Sequence, residues 1–461
     1  MQAGVESEGW RPRKVYGFAS HTALREGGMR AKHRIMVASF VVLGFVASGC
    51  GDDDDDAATD TEAAADTTAS ASAADTAADA TTAETSAGTE ATTADTDAAA
   101  APQEFMIMVD GRVDEFNGAF FGYFPDKVSV HPGDRIVYHS IFSGEPHSAT
   151  FGTSIDEVVT GFMELTPEQQ AGEAPPPPEL EAAFELIPAM LPDGPGDANQ
   201  VSVNPCFVPG GEEIPTDATS QCPVTEPAPF TGTETFYNSG FLPDNETFVV
   251  ELAEDIAPGT YYAFCTLHFV EMISEITVVP ADEPVPTPEE VAAEGQAQLE
   301  ELAALGVPPL EEAQSSATPG HVHAGLGSEE STKVLVDEFV PGDMQAAVGE
   351  PVTWTIAGPH TVSFNAPEEA RTVLVKGDDG GFHVVESALA PAGFEPPPPP
   401  AEEPPEDVPP PPVDAGSWDG TGFFNSGIMF GGDFVLRFSQ PGSYEYVCLI
   451  HPEMQGTVTV Q

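Results

Sequence analysis

Two stretches decide the fold: Pro258-Gly-Thr-Tyr-Tyr-Ala-Phe-Cys265-Thr-Leu-His268-Phe-Val-Glu-Met272 and Pro441-Gly-Ser-Tyr-Glu-Tyr-Val-Cys448-Leu-Ile-His451-Pro-Glu-Met454. In each, a Gly turn opens a strand of alternating character that runs into a Cys, with a His and a Met just beyond it. Working upstream, Phe236-Tyr-Asn238-Ser239-Gly240 echoes Phe423-Phe-Asn425-Ser426-Gly427. Further upstream, Pro146-His147-Ser-Ala-Thr-Phe151 echoes Pro359-His360-Thr-Val-Ser-Phe364, and Val128 to Tyr138 echoes Ala346 to Trp354. Four matched blocks in one order mean two copies of one domain. Short strands rich in Val, Ile, Phe, Tyr and Thr, punctuated by Gly, Pro and Asp, make the fold all-β, an antiparallel sandwich in each copy.

The expected organisation is an export segment over 1–50, a tether over 51–103, domain 1 over 104–281, a linker over 282–331 and domain 2 over 332–461. Both copies carry an insert between the first His block and the Asn-Ser-Gly block, about 155–230 and about 367–417. Inserts in the same slot imply a surface loop that tolerates length. Thr166-Pro167-Glu-Gln169 starts a helix in the first insert. Pro396–Pro400 and Pro409–Pro412 predict stiff polyproline in the second. Thr287-Pro288-Glu-Glu290 opens a helix to about Leu305, read as a linker helix, with packing on a domain face as the alternative.

The chemistry lies in the Cys-His-Met loops. Each copy offers a thiolate, two imidazoles and a thioether: His147, Cys265, His268 and Met272 in the first, His360, Cys448, His451 and Met454 in the second. That donor set selects a soft, redox-active metal, and two His and a Cys with a weak axial Met form a type 1 blue-copper site. The Cys ends a strand, a tight turn carries His and Met round the metal, and the first His comes from a neighbouring strand. His131, His139 and His383 read as ordinary surface or sheet residues, and Tyr138 and Trp354 as core aromatics. His321 and His323 lie in the Gly/Ser/Ala stretch of the linker.

On these motifs both halves resemble cupredoxins of the plastocyanin, amicyanin and pseudoazurin type. The spacing Cys448-x2-His451-x2-Met454 is similar to that of amicyanin and pseudoazurin. The first copy departs by one residue, with three between His268 and Met272. The resemblance implies a Greek-key sandwich, the eight ligands named above, and single-electron transfer in the periplasm or at a membrane face. It also implies that Asn238 and Asn425 buttress the ligand loops, and that the edges of His268 and His451 lie near the surface beside Phe269 and Pro452, where electrons pass.

The chain has 461 residues and a formal net charge of -62, from 14 Lys+Arg and 76 Asp+Glu. So acidic a surface repels phosphate and excludes a nucleic-acid partner. It would instead steer a basic redox protein. Seven of the 14 basic residues precede position 35, and the apolar run Ile35–Val46 with Ala47-Ser48-Gly49-Cys50 follows them. That pattern is an export signal, and the run is too short to span a bilayer. Small residues before Cys50 resemble a lipobox, which implies lipidation of Cys50 and anchoring at the outer face of a cell membrane or in the periplasm. An ordinary cleaved signal is the alternative. The Ala/Thr/Asp-rich tether has no aromatic residue and no Lys or Arg, so it buries too little to fold. Cys206 and Cys222 remain, and in an exported chain a disulfide is the simple reading.

Multicopper oxidases and copper nitrite reductases carry His directly beside the type 1 Cys, whereas here the neighbours are Phe264 and Thr266, and Val447 and Leu449. The expectation is a non-enzymatic electron carrier. The alternatives are a copper-buffering surface lipoprotein and a structural protein with vestigial sites.

Overall fold

The computed structural model describes residues 101–461 except 142, 171–176, 178–179, 181–199, 216–221, 223–225, 377–381 and 398–410. The segment expected to direct export, Cys50 with its expected lipidation, nearly all of the expected tether and most of the polyproline tracts lie outside the described residues.

The first sandwich faces a four-stranded sheet against a six-stranded one. In the four-stranded sheet, Glu104–Val109 runs parallel to Arg135–Ser140, which pairs antiparallel with Thr247–Glu251. Strand alternation explains the packing: Phe105, Ile107 and Val109 are fully buried while Glu104 and Met106 face out. The six-stranded sheet places Gly259–Cys265 between Phe269–Val278 and Thr150–Phe151. The aromatic core between the sheets includes Tyr123, Tyr138, Phe151 and Tyr237.

The second sandwich repeats this plan. His321–Gly327 runs parallel to Pro351–His360, and Gly442–Val447 lies between Gln455–Val460 and Ser363–Phe364. Trp354, Phe364, Phe434 and Tyr446 fill its core. Two boundaries are corrected. The second domain begins at His321, inside the expected linker, because that strand supplies hydrogen bonds to two neighbours. The second insert ends earlier than expected, because Val413–Trp418 is an edge strand parallel to Met429–Phe438.

The inserts are partly structured. Thr166 caps the short helix Pro167–Gln170, as the sequence predicts. The preceding helix Thr153–Glu164 buries Ile155, Val158 and Val159 against Val201, Val208 and Phe264. Cys206 and Cys222 form a disulfide with a Cα–Cα separation of 5.4 Å.

The segment read as a linker helix is a packed element. Helix Pro288–Ala303 starts with the expected capping box, in which Thr287 and Glu290 satisfy each other's backbone N–H. It lies on Glu104–Val109 and Tyr123–Phe124. Helix Val307–Ser315 lies on the first two strands of the second sandwich. Leu299, Ala303 and Leu310 meet Phe116, Phe120, Val334 and Val336 in a core shared by both domains. The domains also share a sheet. Gly118–Phe120 of the first pairs antiparallel with Val334–Val340 of the second, with Val336 opposite Gly118.

Candidate metal centre

The local folding of each ligand loop follows from its sequence. In the second copy the strand stops at Val447. Cys448 donates its N–H to Met454 O at 2.9 Å, and Met454 donates to His451 O at 3.0 Å. One turn thus carries Cys, His and Met round a common point. The first copy absorbs its extra residue by a register shift at Cys265 and by placing Phe269 in the left-handed region at φ 48°. Met272 therefore sits inside a strand, whereas Met454 precedes one. Both thioethers are buried in the same cluster as their Cys.

The predicted ligands converge. In the first site His147 Nδ1 and His268 Nδ1 are 3.1 Å apart, and they lie 4.0 and 3.6 Å from Cys265 Sγ. In the second, His360 Nδ1 and His451 Nδ1 are 3.0 Å apart, and they lie 3.9 and 3.6 Å from Cys448 Sγ. A trigonal centre with bonds of about 2.0–2.3 Å needs donor separations of about 3.5–3.8 Å. The S–N sides of 3.6–4.0 Å come close to that, while the N–N sides of 3.0–3.1 Å are shorter, so the imidazoles would part by about 0.4–0.5 Å to take up an ion. Thiolate with two imidazoles is the donor set of copper.

The tautomers follow from the far side of the rings. His147 Nε2 donates to Asp110 Oδ2 at 3.1 Å, and His268 Nε2 donates to Glu145 Oε2 at 2.8 Å. A carboxylate only accepts, so in the neutral rings the proton sits on Nε2 and each Nδ1 has its lone pair for a metal. Burial would push the Cys265 and Cys448 thiols up, but the facing imidazoles outweigh it and hold both well below the usual thiol range. Burial also works against a charged His147, and Asp110 with Cys265 reverses it, raising that group to about 10.

Beside each Cys the two copies use one network. Ser148 donates its N–H to Cys265 Sγ at 3.4 Å, while its hydroxyl accepts the N–H of Thr266 at 2.9 Å. Thr361 does the same for Cys448 and Leu449. These hydroxyls reach Asn238 and Asn425 through Thr150 and Ser363. Asn238 Nδ2 in turn donates to Val201 O at 2.6 Å, and Asn425 Nδ2 to Ala390 O at 2.9 Å. Each Asn fastens its insert to the short strand that follows the first His. That is a buttressing role, reached through the insert backbone.

Two expectations are corrected. The ring edges of His268 and His451 do not face solvent; the residues are 6% and 1% exposed. His321 and His323 sit on a strand of the second sheet, where His321 Nε2 meets Thr355 Oγ1 at 2.9 Å.

Sequence reading missed three buried carboxylates, Asp110, Glu145 and Asp337, that surround the Nε2 edges. The available signals were Glu145 in the Pro146-His147 motif and a lone acid in the apolar run Val334-Leu-Val-Asp337. Each copy has a cis proline at the same place, Phe124–Pro125 and Val340–Pro341. Aligning them puts Phe121 on Asp337, and strand register puts Asp110 on Gly325. The matched Pro-His motifs put Glu145 on Gly358. Where one copy has a bulky or charged group over its imidazoles, the other differs.

No protein-family model matches the chain, and no curated protein matches it. Solved structures similar to it are cupredoxins. A purple cupredoxin from Nitrosopumilus maritimus shares 19% identity, with 31% of this chain and 98% of that one covered and a TM-score of 0.15. A mutant plastocyanin of a fern shares 20%, covering 31% and 99% with a TM-score of 0.15. Amicyanin from Paracoccus versutus shares 15%, covering 32% and 88% with a TM-score of 0.14. By its own strand order and paired ligand sets the chain is a tandem of two cupredoxin-like sandwiches with two candidate copper centres.

Proposed function

We propose that this protein is a non-enzymatic carrier of single electrons, with one type 1 copper site per sandwich. In this reading it is exported, lipid-anchored through Cys50 and held off the membrane by its acidic tether, where its charge steers a basic redox partner. The observation that carries it is the pair of Nδ1/Nδ1/Sγ triangles, both buried, with Met272 and Met454 in the same clusters. Copper held there supplies one-electron exchange between Cu(I) and Cu(II). The protein's part is to fix the donors, set the imidazole tautomers and exclude water, so that ligands move little between the two states.

The test is copper content with visible and EPR spectra of the purified protein. Two coppers, an intense thiolate-to-copper band and narrow hyperfine splitting are expected. Cys265→Ser and Cys448→Ser should each remove one copper and its share of the band. Full blue colour in Cys448→Ser would show that the second site is wrongly assigned.

One observation favours copper storage as a second reading: the His edges, where electrons would pass, are buried. Slow electron exchange with every soluble redox protein tried, together with tight Cu(I) binding, would favour storage.

A further inference from the structure

The buried edges of the two sites face one another. Glu145 belongs to the first domain, yet its carboxylate reaches both: Oε2 accepts from His268 Nε2 at 2.8 Å, and Oε1 faces His451 Nε2 at 3.7 Å. The residue is 3% exposed, and Oε1 has no hydrogen-bond partner. Its neighbour Gly144, at φ 127°, lies directly on the second ligand loop; a Cβ there would stand 2.6 Å from Ile450 O and from His451 Cδ2. Phe121 stacks on His268 with centroids 4.5 Å apart, and packs with Leu335 of the second domain. The shared sheet and the helix-lined core fix this juxtaposition.

We infer that the two centres operate as a coupled pair, exchanging an electron inside one molecule across the His268–Glu145–His451 contact. This rests on the copper reading above. The exchange is balanced within the molecule: Cu(I) at one site is oxidised as Cu(II) at the other is reduced, and no proton or external reductant is consumed. Glu145 is a positioning residue that holds the two rings edge to edge, buried from bulk solvent. A single carboxylate separates the ligands, and no bulk water must reorganise along the path.

The experiment uses the full chain loaded with two coppers. A sub-stoichiometric pulse of reductant is followed by absorbance as the electron redistributes. A relaxation whose rate is independent of protein concentration is expected, with dipolar broadening in the fully oxidised EPR spectrum that is absent from Cys265→Ser. Glu145→Ala should slow the relaxation by about tenfold or more, and Glu145→Gln, which keeps an acceptor for His268, should restore most of the rate. If the Ala variant sheds copper, Glu145→Leu fills the same space without linking the rings and should be equally slow. A rate proportional to protein concentration overturns the proposal, as does a wild-type rate in the Ala or Leu variant. Loss of copper from the wild type would sink the carrier reading itself; two coppers that exchange only between molecules would sink the pairing alone.

Discussion

Gly325→Ala should empty one site and spare the other. Gly325 has φ 78°, and a Cβ built on it would stand 2.0 Å from His360 Nε2 and 2.4 Å from Ala357 O. The left-handed backbone costs an alanine about 1–2 kcal/mol. Relieving the clash costs about 1–3 kcal/mol more, because the carbonyl is backbone and cannot swing aside. The ring must retreat by more than an ångström, which breaks a triangle whose sides are 3.0–3.9 Å. Losing a residue behind a metal ligand typically weakens binding about 10–100-fold, and displacing the ligand itself should exceed that. The assay is copper titration followed by the blue band, with thermal unfolding in parallel. Gly349→Ala is the control, since Gly349 has φ 81° and no atom within 4 Å of its would-be Cβ. It should lose stability alone. If Gly325→Ala binds two coppers as tightly as that control, His360 does not hold the second metal as described.

Three further outcomes are expected. Asp156 accepts the N–H of Tyr262 at 2.8 Å, and burial lifts its carboxyl to about 6. The folded state binds this proton more tightly than the unfolded chain, so its contribution favours folding at low pH. That contribution is lost as pH rises from about 4 through about 6, by up to about 3 kcal/mol. Asp156→Asn should flatten that slope in urea unfolding. Asn425→Ala orphans Ser363 and the carbonyls of Ala388 and Ala390. It should cost about 2–4 kcal/mol in urea unfolding and move the second copper's spectrum without shifting the first. Asp134 accepts from Gln103 N and His131 N, both at 2.7 Å. Asp134→Ala should lower thermal stability by about 2–4 kcal/mol and leave copper content unchanged.

The ligands were legible because each set is nearly local. Cys, His and Met share one turn, and the partner His stands in a repeated motif, so spacing alone encodes much of the triangle. Asp110 and Asp337 were not legible, because each reaches the first His of its own copy from a strand or strand end distant in sequence, and Glu145 meets His451 only after the two copies pack against each other. The edges of His268 and His451 were expected at a surface because a single-domain pattern leaves them there, and in the tandem the facing copy covers them. His321 was put in the linker because Gly, Ser and Ala around it hid a strand whose register only the partner Pro351–His360 defines.

The strand Gly118–Phe120 has a consequence for mechanics. Because it completes a sheet of the other copy, neither half is a finished fold when cut between residues 282 and 320. A protease acting there should yield two fragments that travel together in gel filtration. Denaturant should melt both sandwiches in one step. The repeat is thus joined through a shared sheet and a shared core, and parting the halves would leave an unpaired strand edge and an uncovered apolar face on each.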